Sequence, residues 1–239
     1  MIDFHTHILP GIDDGSRDTA MTKTMLHMEK KQGVNHIVAT PHFYASRASI
    51  DRFLEKRTRA YDKVCQRIYE EEKDLPDLRL GAEVYYFPGM GRADLSSLCI
   101  EGTNLILVEM PFAQWTNEMA EEISRIIKGQ NLKVILAHLE RFYRFQKKKD
   151  AWNRILAMPV IIQINAECME GFFNRRFATS VIKGGAPVIL GSDCHNTSTR
   201  PPNLDRGYEL LQKKLGADAC KDIQALGERL LIKYALEDE

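Results

Sequence analysis

Nine side chains in this sequence offer nitrogen or oxygen donors of the kind that hold divalent cations. His5 and His7 stand two residues apart, so on an extended strand they face the same side. Asp14 follows in a Gly-Ile-Asp-Asp-Gly loop, and His42, Glu83, Glu109, His138, Asp193 and His195 come later, each at the end of an apolar run. Imidazole and carboxylate without thiolate suit Mn²⁺, Fe²⁺ or Zn²⁺ better than copper or an iron–sulfur cluster, and fit an all-oxygen Mg²⁺ or Ca²⁺ site less well. One ion cannot use nine donors. Two ions need about six to eight with a bridging carboxylate, and three use all nine. Glu83 or Glu109 can serve as that bridge. Arg141 lies three residues after His138, and Arg200 five after His195. Guanidinium is the preferred fork for a phosphate group. Metals with two arginines on one rim point to phosphate-ester hydrolysis by a metal-bound hydroxide.

A lone histidine or glutamate beside a strand is ordinarily a rim or capping residue, and His27 and His36 are read that way. The nine are different because of where the chain must place them. Short apolar runs rich in β-branched residues recur at 2–5, 36–41, 79–84, 105–109, 133–137, 160–165 and 187–192, each with the length of a buried parallel strand. Amphipathic stretches at 18–32, 50–73, 117–129, 174–184 and 205–215 read as helices between them, with 218–236 as a further helix. Gly33, Gly129 and Gly184 stand where three of these should stop. Strands alternating with helices imply a parallel sheet. Seven such units predict a closed or nearly closed barrel, with a doubly wound open sheet as the alternative. Six of the seven strands then finish in a metal-competent side chain at the C-terminal end, the face on which barrel active sites are built. Buried carboxylates and imidazoles need partners, and a cation cluster supplies them together.

The bulk properties narrow the partners. A chain of 239 residues suits one α/β domain spanning 1–239, and 44% hydrophobic with 28% charged residues is ordinary for a folded protein. Zero formal net charge gives no general pull toward nucleic acid or an anionic membrane. The N-terminus has no basic region ahead of an apolar stretch, and no run approaches a membrane helix. Five scattered cysteines without a Cys-x-x-Cys pair fit a reducing compartment, so a cytoplasmic enzyme or binding protein is expected.

The wording around the donors is distinctive. The His-x-His start, His42, Glu83, His138 and the closing Asp193-x-His195 resemble the PHP (polymerase and histidinol phosphatase) superfamily. Ile-Asp-Phe-His-Thr-His-Ile-Leu-Pro-Gly-Ile-Asp-Asp-Gly, Ala-Thr-Pro-His-Phe, Gly-Ala-Glu-Val-Tyr-Tyr, Val-Glu-Met-Pro-Phe and Gly-Ser-Asp-Cys-His-Asn are similar to one branch of it: the bacterial tyrosine-protein phosphatases of capsule and exopolysaccharide loci, the CpsB-like group. The resemblance runs from residue 1 to about 202. It implies a distorted (β/α)7 TIM-like barrel with a trinuclear, usually manganese-loaded site. It also implies removal of phosphate from the tyrosine cluster of a cognate bacterial tyrosine kinase. All nine donors would be ligands, and Arg141 and Arg200 would fall on the phosphate-binding arginines. Leu139 stands where many relatives have proline, and 143–150 differs in a way that could shape substrate preference.

Rival readings use the same residues. Cys194 and Arg200 form a Cys-x5-Arg pattern, the skeleton of cysteine-dependent tyrosine phosphatases, but the intervening His-Asn-Thr-Ser-Thr lacks the glycines that cradle phosphate. Within the superfamily, a histidinol-phosphate phosphatase or a phosphodiesterase is the alternative, and the absence of a basic stripe counts against a nucleic-acid substrate. Outside enzymology, the chain could be a catalytically silent metal-binding partner of a kinase. All five histidines at the metal face are committed as ligands, which leaves Asp14 or Asp13 as the nearest acid. A site poor in proton donors favours aryl over alkyl phosphates.

Overall fold

The computed structural model describes residues 1–233, and the last three residues of the helix expected over 218–236 lie outside the described residues. Among the described residues nine strands form in chain order: β1 (Ile2–Thr6), β2 (His36–Ala39), β3 (His42–Phe43), β4 (Asp77–Leu80), β5 (Glu83–Tyr85), β6 (Leu105–Glu109), β7 (Lys133–Leu136), β8 (Ile161–Asn165) and β9 (Val188–Gly191). They correspond to the seven expected runs, because two runs are broken. Pro41, with no N–H to give a ladder, separates β2 from β3, and Gly81-Ala82 separates β4 from β5. Every pairing is parallel. The strands make a three-stranded sheet, β1-β2-β4, and a six-stranded one, β3-β5-β6-β7-β8-β9. The last run meets the first: the Asp193 N–H donates to His5 O at 2.8 Å and the His7 N–H to Cys194 O at 2.9 Å. One isolated parallel bridge, Thr6 with Cys194, marks this junction, so the ring is irregular there.

Alternation along the strands sorts the core into two parts. Leu105 and Leu107 join Phe4, Val38, Ile135, Ile161 and Ile189 in one cluster. Ile106 and Val108 join a larger cluster that includes buried helix residues such as Met25, Ile123 and Leu211. Side chains from six strands can meet in one cluster only if the sheet curls around them. Glu109 continues the inward face of Leu107, and Gln163 and Asn165 continue that of Ile161. The polar site therefore sits on the apolar plug, at the carboxyl ends of the strands.

The helices are α1 (Thr19–Lys31), α2 (Ile50–Val64), α3 (Asn117–Gly129), α4 (Asp150–Leu156), α5 (Phe172–Lys183), α6 (Leu204–Leu215) and α7 (Ala217–Glu228). Asp18, Ser49 and Thr116 cap the first three, each accepting a backbone N–H from the first turn. Gly33 takes the left-handed conformation just past α1, as expected, with φ 82°. Two other stops differ: Asn131 (φ 55°) takes the left-handed role after α3 in place of Gly129, and Gly185 (φ 76°) takes it in place of Gly184. The expected helix 50–73 ends early, α2 passing into a π-turn over Cys65–Tyr69. Three successive acids, Glu70 to Glu72, oppose the helix dipole at that end. Helix α4 starts at the last residue of the divergent stretch 143–150 and runs beyond it, and its Ala151, Trp152 and Ile155 are buried. All five cysteines are unpaired, and no helix among the described residues is long and apolar enough to cross a membrane.

Candidate metal centre

All nine expected donors converge at one place. Glu83, at the start of β5 and buried, is the hub. Its Oε2 lies 3.3 Å from His5 Nε2, 3.3 Å from His7 Nε2 and 2.8 Å from His42 Nδ1, while Oε1 lies 2.9 Å from His138 Nε2. Glu109 comes within ion-pair distance of one histidine among the described residues, His138 at 3.5 Å. Of the two carboxylates expected to bridge, Glu83 is the one with more imidazoles around it. Asp193 Oδ1 faces His5 and His7 at 3.6 and 3.4 Å. On the solvent side, Asp14 stands 3.5 Å from both His42 Nε2 and His195 Nε2. Three overlapping donor sets result: His5, His7 and Asp193; His42, Glu83 and Glu109; and His7, Asp14, His42 and His195.

The donor chemistry fits divalent cations. His5 Nε2 and His7 Nε2 approach to 3.2 Å. Glu83 Oε2 and His42 Nδ1 are close, yet neither has a partner of hydrogen-bond geometry, and His195 Nε2 also lacks one. Buried donor atoms crowded together without hydrogen-bond partners are costly in a dry site, and a shared cation removes that cost. The electrostatics say the same. Burial, then the Glu83 charge, pushes the Glu109 carboxyl up to about 8. Burial, then the charge of His7, takes His195 down to about 4. Burial would lower His7 too, but Asp13 and the neighbouring carboxylates outweigh it and raise it well above the usual imidazole range. The cluster asks for positive charge at its centre.

The backbone is built to this purpose. β1 bulges between Asp3 and Thr6. His138 (φ 29°) and Asp193 (φ 54°) are two of the three non-glycine residues with positive φ among the described residues. Such conformations cost on the order of 1–3 kcal/mol and persist where surroundings enforce them. At Gly191 a Cβ would lie 2.6 Å from His5 Cβ and 2.9 Å from Gln163 Nε2, so the end of β9 can approach His5 only without a side chain.

Three positioning residues carry no donor role in the sequence reading. Asp13, read there only as a nearby acid, holds His7 Nδ1 at 2.7 Å and accepts the N–H groups of Gly15 and His42, each at 3.0 Å. That bond fixes the ring and turns Nε2 toward the centre. Gln163 Oε1 lies 3.0 Å from His5 Nδ1 and accepts the His138 N–H at 2.7 Å. Gln163 Nε2 then donates to Asn165 Oδ1, and Asn165 Nδ2 to Asp193 Oδ2, both at 2.9 Å. The signal was in the sequence: Ile-Ile-Gln-Ile-Asn puts two amides on one face of an otherwise apolar run.

Both arginines reach this face. Arg141 closes a 3₁₀ turn that follows His138, its N–H donating to His138 O at 2.9 Å. Arg200 is delivered by a tight loop in which Asn196 Oδ1 accepts the N–H groups of Ser198, Thr199 and Arg200 at 2.9, 2.8 and 3.1 Å. Each guanidinium lies 2.8 Å from Asp193 Oδ2, and Arg141 also pairs with Glu167 at 2.9 Å. Asp193 thus turns one oxygen to the histidines and the other to the arginines. Phe112, 42% exposed, stacks on His138 with ring centres 6.1 Å apart, and Tyr44 lies 5.2 Å from His42.

The residues set aside stay aside: His27 pairs with Glu72 at 2.9 Å and His36 with Asp77 at 3.3 Å, away from the cluster. Cys194 is fully buried and its thiol donates to Glu29 Oε1 at 3.7 Å. Burial, then the Glu29 charge, raises it well above the usual thiol range. A buried thiol so disposed is no nucleophile, and the Cys-x5-Arg pattern is a coincidence of spacing.

A parallel α/β chain with a histidine–carboxylate centre at its strand ends is thereby defined. The family described as capsular polysaccharide synthesis, CpsB/CapC, matches residues 1–233, and the chain belongs to that family. It is 27% identical over 228 residues, 91% of this chain and 86% of the other, to the tyrosine-protein phosphatase YwqE of Bacillus subtilis strain 168. Among solved structures it matches a chain from those described as YwqE from Bacillus subtilis and CpsB from Streptococcus pneumoniae, unique metal-dependent tyrosine phosphatases, with TM-score 0.84, 22% identity, and coverage of 97% of this chain and 94% of that one. It also matches histidinol phosphate phosphatase from Lactococcus lactis, solved with zinc, L-histidinol and phosphate, at TM-score 0.57, 14% identity, and coverage of 89% and 92%. The expected parallel α/β architecture accords with both likenesses.

Proposed function

We propose that this chain, acting as one domain, is a metal-dependent protein-tyrosine phosphatase. Its substrate would be a phosphotyrosine-bearing bacterial tyrosine kinase of capsule or exopolysaccharide synthesis, and its compartment the cytoplasm. The observation that carries the reading is the crowding of donor atoms around Glu83 beside two arginines that share Asp193. His5, His7, Asp14, His42, Glu83, Glu109, His138, Asp193 and His195 would hold two or three ions, with Mn²⁺ the metal best suited and Fe²⁺ or Zn²⁺ next. Bound there, the ions would supply an activated water and charge stabilisation for the phosphoryl group.

The chain's own residues do the rest. Arg141 and Arg200 sit where two phosphate oxygens can replace or share Asp193 as their partner, which fixes the ester against the centre. Asp14, 67% exposed in its side chain, closes the solvent side between His42 and His195. Phe112 and Tyr44 offer ring faces on either side of the histidines, a setting for an aryl group. Asp13 and Gln163 hold His7 and His5 in the tautomer that turns Nε2 inward.

The test uses chelated protein with metals restored singly, comparing a phosphotyrosine peptide with histidinol phosphate. The reading expects activity to return with Mn²⁺ and the peptide to have the higher kcat/KM. Preference for histidinol phosphate would instead support the second superfamily reading. Full metal binding without turnover of any ester would support a silent partner of a kinase.

A further inference from the structure

A groove leads away from the metal centre along α2, and its charge does not match the neutral balance of the chain. Asp13, Asp14 and His42 line its inner end, where it is continuous with the site. Beyond them it is lined by Arg47, Arg52, Lys56 and Arg59, and it encloses about 680 Å³, enough for several residues of an extended peptide. Four cations thus face two acids. Asp13 is already bonded to His7, and Asp14 is turned to His42 and His195. Arg52, Lys56 and Arg59 fall at i, i+4 and i+7 of α2, one stripe of the helix surface. Asp51 and Glu55 lie outside the groove and line a second hollow with Leu54 and Thr58, which Arg59 also borders.

The stripe is held firmly in place. Phe53 and Arg57 are buried beneath it, and Arg57 donates to Gly81 O at 2.7 Å. Lys56 Nζ donates to Ile12 O at 2.5 Å, which ties the helix to the loop carrying Asp13 and Asp14. Arg47 stacks over the Tyr44 ring at 4.5 Å, and Tyr44 in turn lies against His42. Among the described residues only Arg59 of the four has an acidic partner, Glu55 at 3.2 Å.

We infer that this groove is a substrate subsite that takes acidic or phosphorylated residues flanking the scissile phosphotyrosine of a peptide. The inference rests on the phosphotyrosine reading above and adds the sequence preference that goes with it. Cations fixed on a rigid stripe that opens into the reacting centre, three of the four without an acidic partner among the described residues, select anionic side chains on the same chain as the ester. The zero net charge matters here: attraction comes from this stripe and not from a general field.

The experiment compares two manganese-loaded proteins, wild type and R47Q/R52Q/R59Q, on two phosphotyrosine peptides that differ only in Glu or Gln at the flanking positions. At low salt, wild type is expected to favour the acidic peptide about tenfold in kcat/KM. The ratio should fall to about one in the triple variant, return in R47K/R52K/R59K, and shrink as salt is raised. A wild-type ratio near one, or a ratio that survives in the triple variant, overturns the inference. Should neither peptide be hydrolysed, the phosphotyrosine reading fails separately. The groove is then judged by binding: fluorescence anisotropy of the same pair carrying a phosphonate in place of the phosphate ester must give the same order of ratios. Equal binding of the two phosphonates to wild type would likewise overturn it.

Discussion

Replacing Glu83 by Gln is the substitution whose consequences the geometry specifies most fully. One buried carboxylate touches four imidazoles, His5, His7, His42 and His138, within 3.3 Å. Glutamine keeps the volume but removes the charge and points an NH₂ group at nitrogen lone pairs. A cation held by the folded chain alone stabilises it by about 2.7 kcal/mol when present at about 100 times its Kd. For a chain of this length each kcal/mol moves Tm by about 2–4 °C. Each ion should therefore raise Tm by roughly 5–11 °C, and two ions sharing Glu83 by about twice that. In Glu83→Gln this increment should vanish, and bound manganese should fall with it. Differential scanning fluorimetry with and without manganese, together with metal analysis, measures both. Because the readout is the increment, any change in the metal-free baseline does not enter. A variant that keeps the full increment and full metal content would refute the placement of Glu83 at the hub.

Arg141→Ala and Arg200→Ala should fold and bind metal, yet each should lose on the order of 2–4 kcal/mol of transition-state stabilisation, about thirtyfold to a thousandfold in kcat/KM; near-native turnover would return that arginine to a surface salt bridge. Aryl phosphates should be cleaved much faster than alkyl ones, since tyrosine leaves with a pKa of about 10 and no uncommitted histidine stands at the site. A rate series on substituted phenyl phosphates should track leaving-group pKa, and a flat series would contradict this. Glu29, buried beside Asp3, has its carboxyl raised well above the usual range by burial and then by the Asp3 charge. The folded chain thus holds a proton that the unfolded chain releases above about pH 4.3, so stability contributed by the neutral form is lost as pH rises. Glu29→Gln should therefore gain in Tm relative to wild type as pH rises, and a difference that is constant with pH would show that Glu29 is ionised in the fold.

The strand and helix rhythm was legible because buried parallel strands and amphipathic helices differ in period, and the donors were legible because they sit where that rhythm changes. What stayed hidden is instructive. Two strands are broken, and Pro41 was read as part of a strand although it cannot complete one. The end of α2 was misjudged because periodicity continues into Glu70–Glu72 while the dipole argument stops it. Gln163 and Asn165 escaped notice because amides are not ligands, although their i, i+2 spacing matches the logic applied to His5 and His7. The choice of Glu83 over Glu109 as hub could not be read from sequence, since both end strands and only the curvature of the sheet brings one among the histidines. The cationic stripe of α2 lies hidden within the amphipathic stretch 50–73, because its direction depends on which face Phe53 and Arg57 bury.

The central claim is that these nine side chains hold metal ions, and anomalous diffraction from manganese-loaded crystals tests it most directly. Two or three peaks are predicted within about 2.0–2.4 Å of donor atoms. One should lie among His5, His7, Glu83 and Asp193, one among Glu83, Glu109 and His138, and a third, if filled, among Asp14, His42 and His195. Peaks confined to surface carboxylates, or none at Glu83 in protein that hydrolyses phosphotyrosine, would contradict it.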